Sequence, residues 1–192
     1  MWATKDGPSV LCFSSLVLLL VALYLLLGGM YSLAVPVFEA PDEIWHFSFV
    51  RVLATERALP VQPSEGKDMW LREAGQPPLY HILSALLIAP LDTSDFPGWV
   101  RFNVAHPAVS QGSQNEAPNV FIHTDAEAWP WRRSVLAVYL VRWSTLLWGA
   151  GAVIGTVLVT RRVAPGRPGL ALRGPPGGRT DPADGRRIRP WS

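Results

Sequence analysis

The chain has 192 residues and a formal net charge of +2, and 49% of its residues are hydrophobic. Two long apolar blocks hold many of these residues, which argues against an ordinary soluble protein. The single cysteine, Cys12, excludes an intrachain disulfide framework and a cysteine-based zinc site. Cys12 lies in the first block and is interpreted as a small apolar residue.

The first apolar block, residues 10–37, predicts a transmembrane helix. It follows a short N-terminus, residues 1–9, and contains the uncharged run LVLLLVALYLLL. A helix needs about 20 apolar residues to cross a bilayer. A cleaved signal peptide is the alternative, with small residues at 32–34 as a cleavage position. The apolar run is, however, longer than the roughly 7–15 residues usual in a signal peptide.

The segment between the two blocks, residues 38–133, predicts two amphipathic or interfacial helices, over about 41–57 and 77–89. The first begins at Pro41, and the acids at 42 and 43 favour the positive end of the helix dipole. The second begins at paired prolines, and its apolar stretch of about a dozen residues is too short to span a bilayer comfortably. A short membrane segment is the alternative for this second helix. Apolar side chains of the first helix recur at helical spacing: Ile44, Phe47, Val50 and Leu53.

The second apolar block, residues 134–160, predicts another transmembrane helix and is interrupted by Arg142. An arginine inside a span is costly, so it snorkels to the interface, pairs with an acid or serves a polar cavity. Two interpretations of Arg142 stay open. One is snorkelling, and the other is contact with an anion or phosphate, which the planar fork of the guanidinium suits.

Charge is distributed unevenly around the two spans. Residues 38–133 carry 12 acidic and 7 basic side chains, whereas residues 161–192 carry eight arginines and two aspartates. The positive-inside rule predicts cytoplasmic termini and an extracytoplasmic segment 38–133. The composition of 161–192, rich in Gly, Pro and Arg, predicts a disordered tail, and nucleic-acid binding is the competing interpretation of its charge. The predicted fold class is an all-α membrane protein with two transmembrane helices, a largely helical extracytoplasmic loop and this tail.

Asp42, Glu43 and His46 lie together in the stretch DEIWH. The stretch differs from the H-E-x-x-H zinc motif, because it has one histidine where that motif needs two. Asp42 and His46 share a helix face, so a divalent-metal site is geometrically open; the alternative is solvated capping charges. A carboxylate here, flanked by apolar residues at a membrane surface, is expected to be partly desolvated, which suits it to general-base catalysis. Four further side chains of the segment are candidates to converge on it: Glu73, His81, His106 and His123.

The order of these segments resembles that of a known family. PDEIWHFSFVRVLA follows the first span at once, an acid and QPPLYHILSAL come next, and AVYLVRWSTLLWGAGAVIG forms the second span. This order resembles the N-terminal part of the C-type, multi-spanning glycosyltransferases that use lipid-phosphate-linked sugars. It looks most like the bacterial relatives of protein O-mannosyltransferases and of the lipid A aminoarabinose transferase. The resemblance covers about residues 10–172, and PDE is its most specific element.

The resemblance implies a function and a site. Asp42 would be the catalytic base that deprotonates the acceptor hydroxyl, which attacks the anomeric carbon with inversion, and Glu43 would support it. Glu73 loosely matches an acid that helps to hold a metal or the donor. Gln76 stands where some relatives have lysine, and Arg142 is the candidate phosphate contact. The implied partners are the lipid bilayer and a polyprenyl-phosphate-linked sugar donor, not nucleic acid, at the bacterial inner (plasma) membrane. No tightly bound cofactor is implied, and the use of a divalent metal varies within the family.

Members of this family have many more spans than two. In relatives RRVAPGRPGLAL would continue into another apolar span, whereas here it is followed by RGPPGGRTDPADGRRIRPWS. We hypothesise that a frameshift truncates a full-length transferase near Leu172, which would leave this fragment inactive alone. Translation of the downstream DNA in the other two frames tests this hypothesis. The alternative function is a small non-catalytic two-span membrane protein whose outer loop binds a partner or an envelope glycan.

Overall fold

Two long helices with a helical segment between them make up the described part of the chain. The computed structural model describes residues 8–60, 68–110 and 117–163, so most of the predicted tail lies outside the described residues. Within these ranges there is no β-strand, only an isolated antiparallel bridge between Phe102 and Phe121. The five α-helices are α1 (Pro8–Ala34), α2 (Glu43–Glu56), α3 (Leu79–Ile88), α4 (Phe96–Trp99) and α5 (Arg133–Val163). The predicted helical fold is therefore confirmed for the described residues.

Both long helices are apolar enough to cross a membrane. The candidate spans are Ser15–Ala34, with a mean hydropathy of 2.3, and Arg133–Val163, with a mean hydropathy of 1.5. Only 11% and 6% of their most apolar windows are buried inside the protein. A core helix of a soluble protein buries such side chains, so this exposure favours a lipid environment. The structure thus supports a membrane protein with two candidate spanning helices.

The helix α2 buries one face against its neighbours. The periodic side chains expected from the sequence are all less than 10% exposed: Ile44, Phe47, Val50 and Leu53. The helix starts at Glu43 rather than at Pro41, because Asp42 adopts a left-handed backbone with φ 58° and its side chain makes no cap hydrogen bond. It ends at Glu56, and the next residue, Arg57, is also left-handed and donates its backbone N–H to the Leu53 carbonyl.

An aromatic cluster joins the end of α1 to the segment between the two candidate spans. Phe38 lies at its centre, with ring centroids 5.6 Å from Phe47, 5.7 Å from Phe96 and 6.2 Å from Phe121. Aromatic pairs at these tilted or edge-on geometries add stability beyond the area that they bury. The cluster therefore positions the chain that leaves the first span, residues 35–42, against α2 and α4.

The described residues form two compact units. Residues 8–19 with 151–163 form one unit, which consists only of helix, and Leu20–Ala150 form the other. All sequence-predicted site residues belong to Leu20–Ala150, so the site is described within that unit alone.

Candidate functional site

Arg142 of α5 is held by a set of hydrogen bonds that we call the Arg142 joint. Nη1 donates to the carbonyls of Ser32 and Val35, each at 2.7 Å, and Nη2 donates to the Pro36 carbonyl at 2.9 Å. Nη2 also donates to Oε2 of Glu43 at 2.7 Å, and Nε pairs with Oε1 of the same carboxylate. All five guanidinium N–H groups are engaged, and the side chain is 9% exposed. Arg142 therefore pairs with an acid and with carbonyls at the end of α1.

Glu43 is the acidic member of the Arg142 joint. Besides Arg142, its Oε2 accepts the backbone N–H of Phe38 at 2.8 Å, and its side chain is 14% exposed. A buried pair of this kind is costly to break, because removing one partner leaves the other charge uncompensated. A donor phosphate that contacted Arg142 would have to displace these bonds. The phosphate contact of Arg142 stays a prediction.

Asp42 differs sharply from its neighbour. Its side chain is 57% exposed, and within the described residues it pairs only with Arg72, whose Nη2 lies 3.9 Å from Oδ1. An exposed pair at this distance contributes little. Its left-handed backbone is uncommon for a residue other than glycine and is the kind of conformation that clusters at functional sites. The desolvated surroundings expected for Asp42 are not formed by the described residues, but its carboxylate is free to contact a ligand.

The buried Glu73 and His81 form a polar cluster with the half-buried His46. Glu73 is 4% exposed and accepts a hydrogen bond from Nε2 of Gln76, and Nδ1 of His46 lies 3.5 Å from Oε2 of Glu73. The same Nδ1 lies 3.1 Å from Nε2 of His81, and the two rings stack with centroids 5.3 Å apart. Burial and the neighbouring His46 hold the pKa of His81 below its ordinary value, against the opposite effect of the Pro77 carbonyl. His81 is therefore expected to be neutral.

A cavity of about 530 Å³ lies beside this cluster. Its polar lining includes His46, Tyr80 and Thr145, and the hydroxyls of the last two are 3.0 Å apart. Glu43 and Arg142 also line it, already paired with one another, but Asp42 does not. The remaining walls are mostly apolar side chains of the two candidate spans: Leu27, Gly28, Tyr31, Val138, Val141 and Leu146. The cavity is therefore apolar with a polar end.

A second carboxylate network, which we call the Glu39 clasp, was missed in the sequence. Glu39 accepts the backbone N–H groups of Val120 at 3.0 Å and Phe121 at 2.8 Å, and its Oε1 lies 2.9 Å from Nε2 of His123. Nδ1 of His123 lies 2.8 and 2.9 Å from the Glu127 carboxylate oxygens. Burial alone would raise the pKa of Glu39, but the N–H groups of Phe121 and Val120, together with His123, lower it overall. The one signal in the sequence is the four-residue spacing of His123 and Glu127.

The candidate residues thus separate into groups. Glu43 meets Arg142, and Glu73 meets Gln76, His46 and His81. His123 belongs to the Glu39 clasp, and the ring of His106 accepts the N–H of Ala108 in its own turn. These last two histidines therefore have partners other than the residues of DEIWH.

No metal site is formed by the described residues. Within 8–60, 68–110 and 117–163, no group of three or more His, Cys, Asp or Glu side chains has the arrangement to hold a metal ion. Asp42 is exposed, and Nδ1 of His46 is engaged by His81 and Glu73. A divalent metal bound through Asp42 and His46 stays a prediction.

Searches with models of protein families, against curated proteins and against solved structures find no match to this chain. The resemblance to C-type glycosyltransferases therefore stays a prediction from the sequence pattern.

Proposed function

We propose that this chain is the Asp42-bearing N-terminal part of a membrane glycosyltransferase. It would transfer a sugar from a lipid-phosphate-linked donor to an acceptor hydroxyl on the outer face of a bacterial plasma membrane. The observation that carries the proposal is the state of Asp42. Within the described residues three nearby glutamates are tied to partners, whereas Asp42 is 57% exposed at the start of a helix just after the first candidate span. The tied glutamates are Glu39, Glu43 and Glu73.

The proposed orientation places both termini in the cytoplasm and residues 38–133 outside. The acidic balance of 38–133 and the eight arginines of 161–192 support this orientation. The spanning length of both long helices is compatible with it. Asp42 would then lie at the outer surface, where a lipid-linked donor presents its sugar.

In the proposed reaction, the Asp42 carboxylate removes the proton of the acceptor hydroxyl. The hydroxyl oxygen forms a bond to the anomeric carbon as the bond from that carbon to the lipid phosphate breaks, and the configuration inverts. General-base catalysis of this kind contributes about 10²- to 10⁴-fold to the rate. Glu43 acts as a positioning residue, since its bonds to Arg142 and to the N–H of Phe38 hold the chain on either side of Asp42. The donor contacts proposed for Glu73, Gln76 and Arg142 would require their present partners to move.

The test is sugar transfer in membranes from cells that express the gene with its reading frame restored downstream of Leu172. We expect transfer from a radiolabelled polyprenyl-phosphate sugar, and we expect Asp42→Asn to lower it about 10²-fold or more. Glu56→Gln is the matched control, because Glu56 is an exposed carboxylate at the other end of the same helix. Transfer that survives Asp42→Asn would exclude Asp42 as the base. An absence of transfer by the frame-restored protein would favour the non-catalytic alternative.

A further inference from the structure

The cavity beside His46 combines two kinds of wall. Leu27, Val141 and Leu146 belong to the candidate spanning helices, whereas His46 and Tyr80 come from the outer helices α2 and α3. Apolar side chains of a span are surrounded by hydrocarbon in a membrane, so an alkyl chain is the natural occupant of this part. The polar end lies where such a chain would carry its head group. The cavity therefore fits an amphipathic molecule rather than a wholly apolar or wholly polar one.

Most polar groups of this cavity already have partners. Arg142 and Glu43 bond to one another, and the remaining N–H groups of Arg142 bond to backbone carbonyls. The hydroxyls of Tyr80 and Thr145 bond to each other, and that of Thr145 also donates to the Val141 carbonyl at 2.9 Å. His46 is different: its Nδ1 is engaged, but its Nε2 has no hydrogen-bond partner among residues 8–60, 68–110 and 117–163. The side chain of His46 is 33% exposed and lines the cavity, so a ligand can reach the ring.

The neighbours of His46 decide which nitrogen carries the proton. Oε2 of Glu73 lies 3.5 Å from Nδ1, and an ionised carboxylate only accepts hydrogen bonds. The contact with Glu73 therefore favours a proton on Nδ1 of His46. With its proton there, the ring carries its lone pair on Nε2, which accepts a hydrogen bond.

We propose that this cavity binds an amphipathic alcohol, with its alkyl chain between α1 and α5 and its hydroxyl donating a hydrogen bond to Nε2 of His46. Glu73 is the positioning residue, because it fixes the proton of His46 on Nδ1. The site takes a neutral hydroxyl donor, and an ether of the same length lacks the proton that Nε2 requires. Binding here does not depend on sugar transfer, so the two proposals fail separately.

The test compares two probes that differ in one property, 1-dodecanol and 1-methoxydodecane. Both carry a dodecyl chain, but only the alcohol donates a hydrogen bond. The full chain, labelled with ¹⁵N-histidine and reconstituted in lipid nanodiscs, is titrated with each probe while the His46 ring signals are followed by NMR. We expect the alcohol to bind about fivefold more tightly than the ether, the ratio expected for one hydrogen bond. Equal affinities, or no binding of either probe, would overturn the proposal.

Two histidine variants and one glutamate variant locate the hydrogen bond. His46→Phe keeps a flat ring but removes the lone pair, so we expect the alcohol and the ether to bind equally. Binding to this variant is measured by competition with a brominated dodecanol that quenches tryptophan fluorescence. Glu73→Gln is expected to reduce the preference for the alcohol without blocking the cavity. His106→Phe, outside the cavity, is the matched control and should keep the fivefold preference. A preference that survives in His46→Phe would contradict the assignment.

A leucine pair locates the alkyl chain without touching His46. Leu27 lines the cavity and is 56% exposed, whereas its neighbour Leu26 is 60% exposed and does not line it. We expect Leu27→Trp to weaken the binding of both probes at least tenfold by filling the cavity. Leu26→Trp should bind them as the wild type does. If both tryptophan variants bind equally, the chain lies elsewhere and the proposal is wrong.

Discussion

The Arg142 joint and the Glu39 clasp solve the same structural problem with different chemistry. Each uses a glutamate from the short stretch 39–43 to hold a segment far along the chain, 99 residues away in the joint and 81 to 84 residues away in the clasp. The joint pairs its glutamate with an arginine, which stays charged at every accessible pH. The clasp combines a histidine with two backbone N–H groups. The comparison teaches that a largely buried glutamate can be held by a permanent cation in one junction and by backbone N–H groups with an imidazole in the other.

The largest expected effect comes from removing the cation of the joint. Arg142→Met leaves Glu43 buried without its partner, and breaking a buried pair in this way costs about 3–5 kcal/mol. Thermal unfolding in detergent, followed by circular dichroism, measures the loss. Arg132→Met is the matched control, since Arg132 is exposed and lies just before α5. A loss below about 1 kcal/mol for Arg142→Met would show that the joint does not stabilise the fold.

The next effect separates two adjacent carboxylates. Glu43→Gln weakens its bonds to Arg142 and Phe38 and should lower the free energy of unfolding by about 2–3 kcal/mol. Asp42→Asn should change it by less than about 0.5 kcal/mol, because this side chain is exposed. Chemical unfolding of both variants gives the two values. Equal losses would mean that Asp42 has a structural role, which would weaken its assignment as the base.

The clasp is expected to respond to acid. The pKa of Glu39 lies below its ordinary value, since the N–H groups of Phe121 and Val120 and His123 outweigh the opposite effect of burial. Its contribution to stability is therefore fully present above the pKa of the unfolded chain and is lost as the pH falls through the folded-state pKa. Melting temperatures between pH 6 and pH 3 should fall less in Glu39→Gln than in the wild type. Glu56→Gln, an exposed control, should show the same pH dependence of the melting temperature as the wild type. If Glu39→Gln also matched the wild type, Glu39 would have no such role.

The smallest effect probes the approach of α1 and α5 near the joint. A Cβ at Gly149 would collide with the Tyr24 side chain, whereas a Cβ at Gly151 meets nothing within 4 Å. Gly149→Ala should lower the free energy of unfolding by about 1 kcal/mol, because the tyrosine must move. Gly151→Ala is the control and should be neutral or slightly stabilising. Thermal unfolding compares the two, and equal values would indicate that Tyr24 moves at no cost.

The helices could be predicted because their signals are local. Prolines and apolar periodicity around Pro41 and Pro78 placed α2 and α3 within about two residues of their observed ends. The helix α2 begins later than predicted because Asp42 has a left-handed backbone. The partner of Arg142 could not be predicted in the same way, because Glu43 lies 99 residues earlier and no periodicity joins them. Glu39 was missed because two of its partners are backbone N–H groups, which leave no mark in the side-chain pattern. The sequence thus predicted the helices and the candidate stretch 42–46. It did not predict which side chains of this stretch form hydrogen bonds with other parts of the protein.

The Arg142 joint also sets an order for membrane assembly. Three of its bonds go to carbonyls at the end of α1, which are synthesised 106 to 110 residues before the arginine itself. Inserting an unpaired arginine into a bilayer costs free energy, because its charge has to be compensated there. When Arg142 emerges from the ribosome, the carbonyls that accept its hydrogen bonds have already been synthesised at the C-terminal end of α1. Insertion of α5 into the membrane is therefore expected to require α1. A chain that lacks α1 would insert α5 poorly.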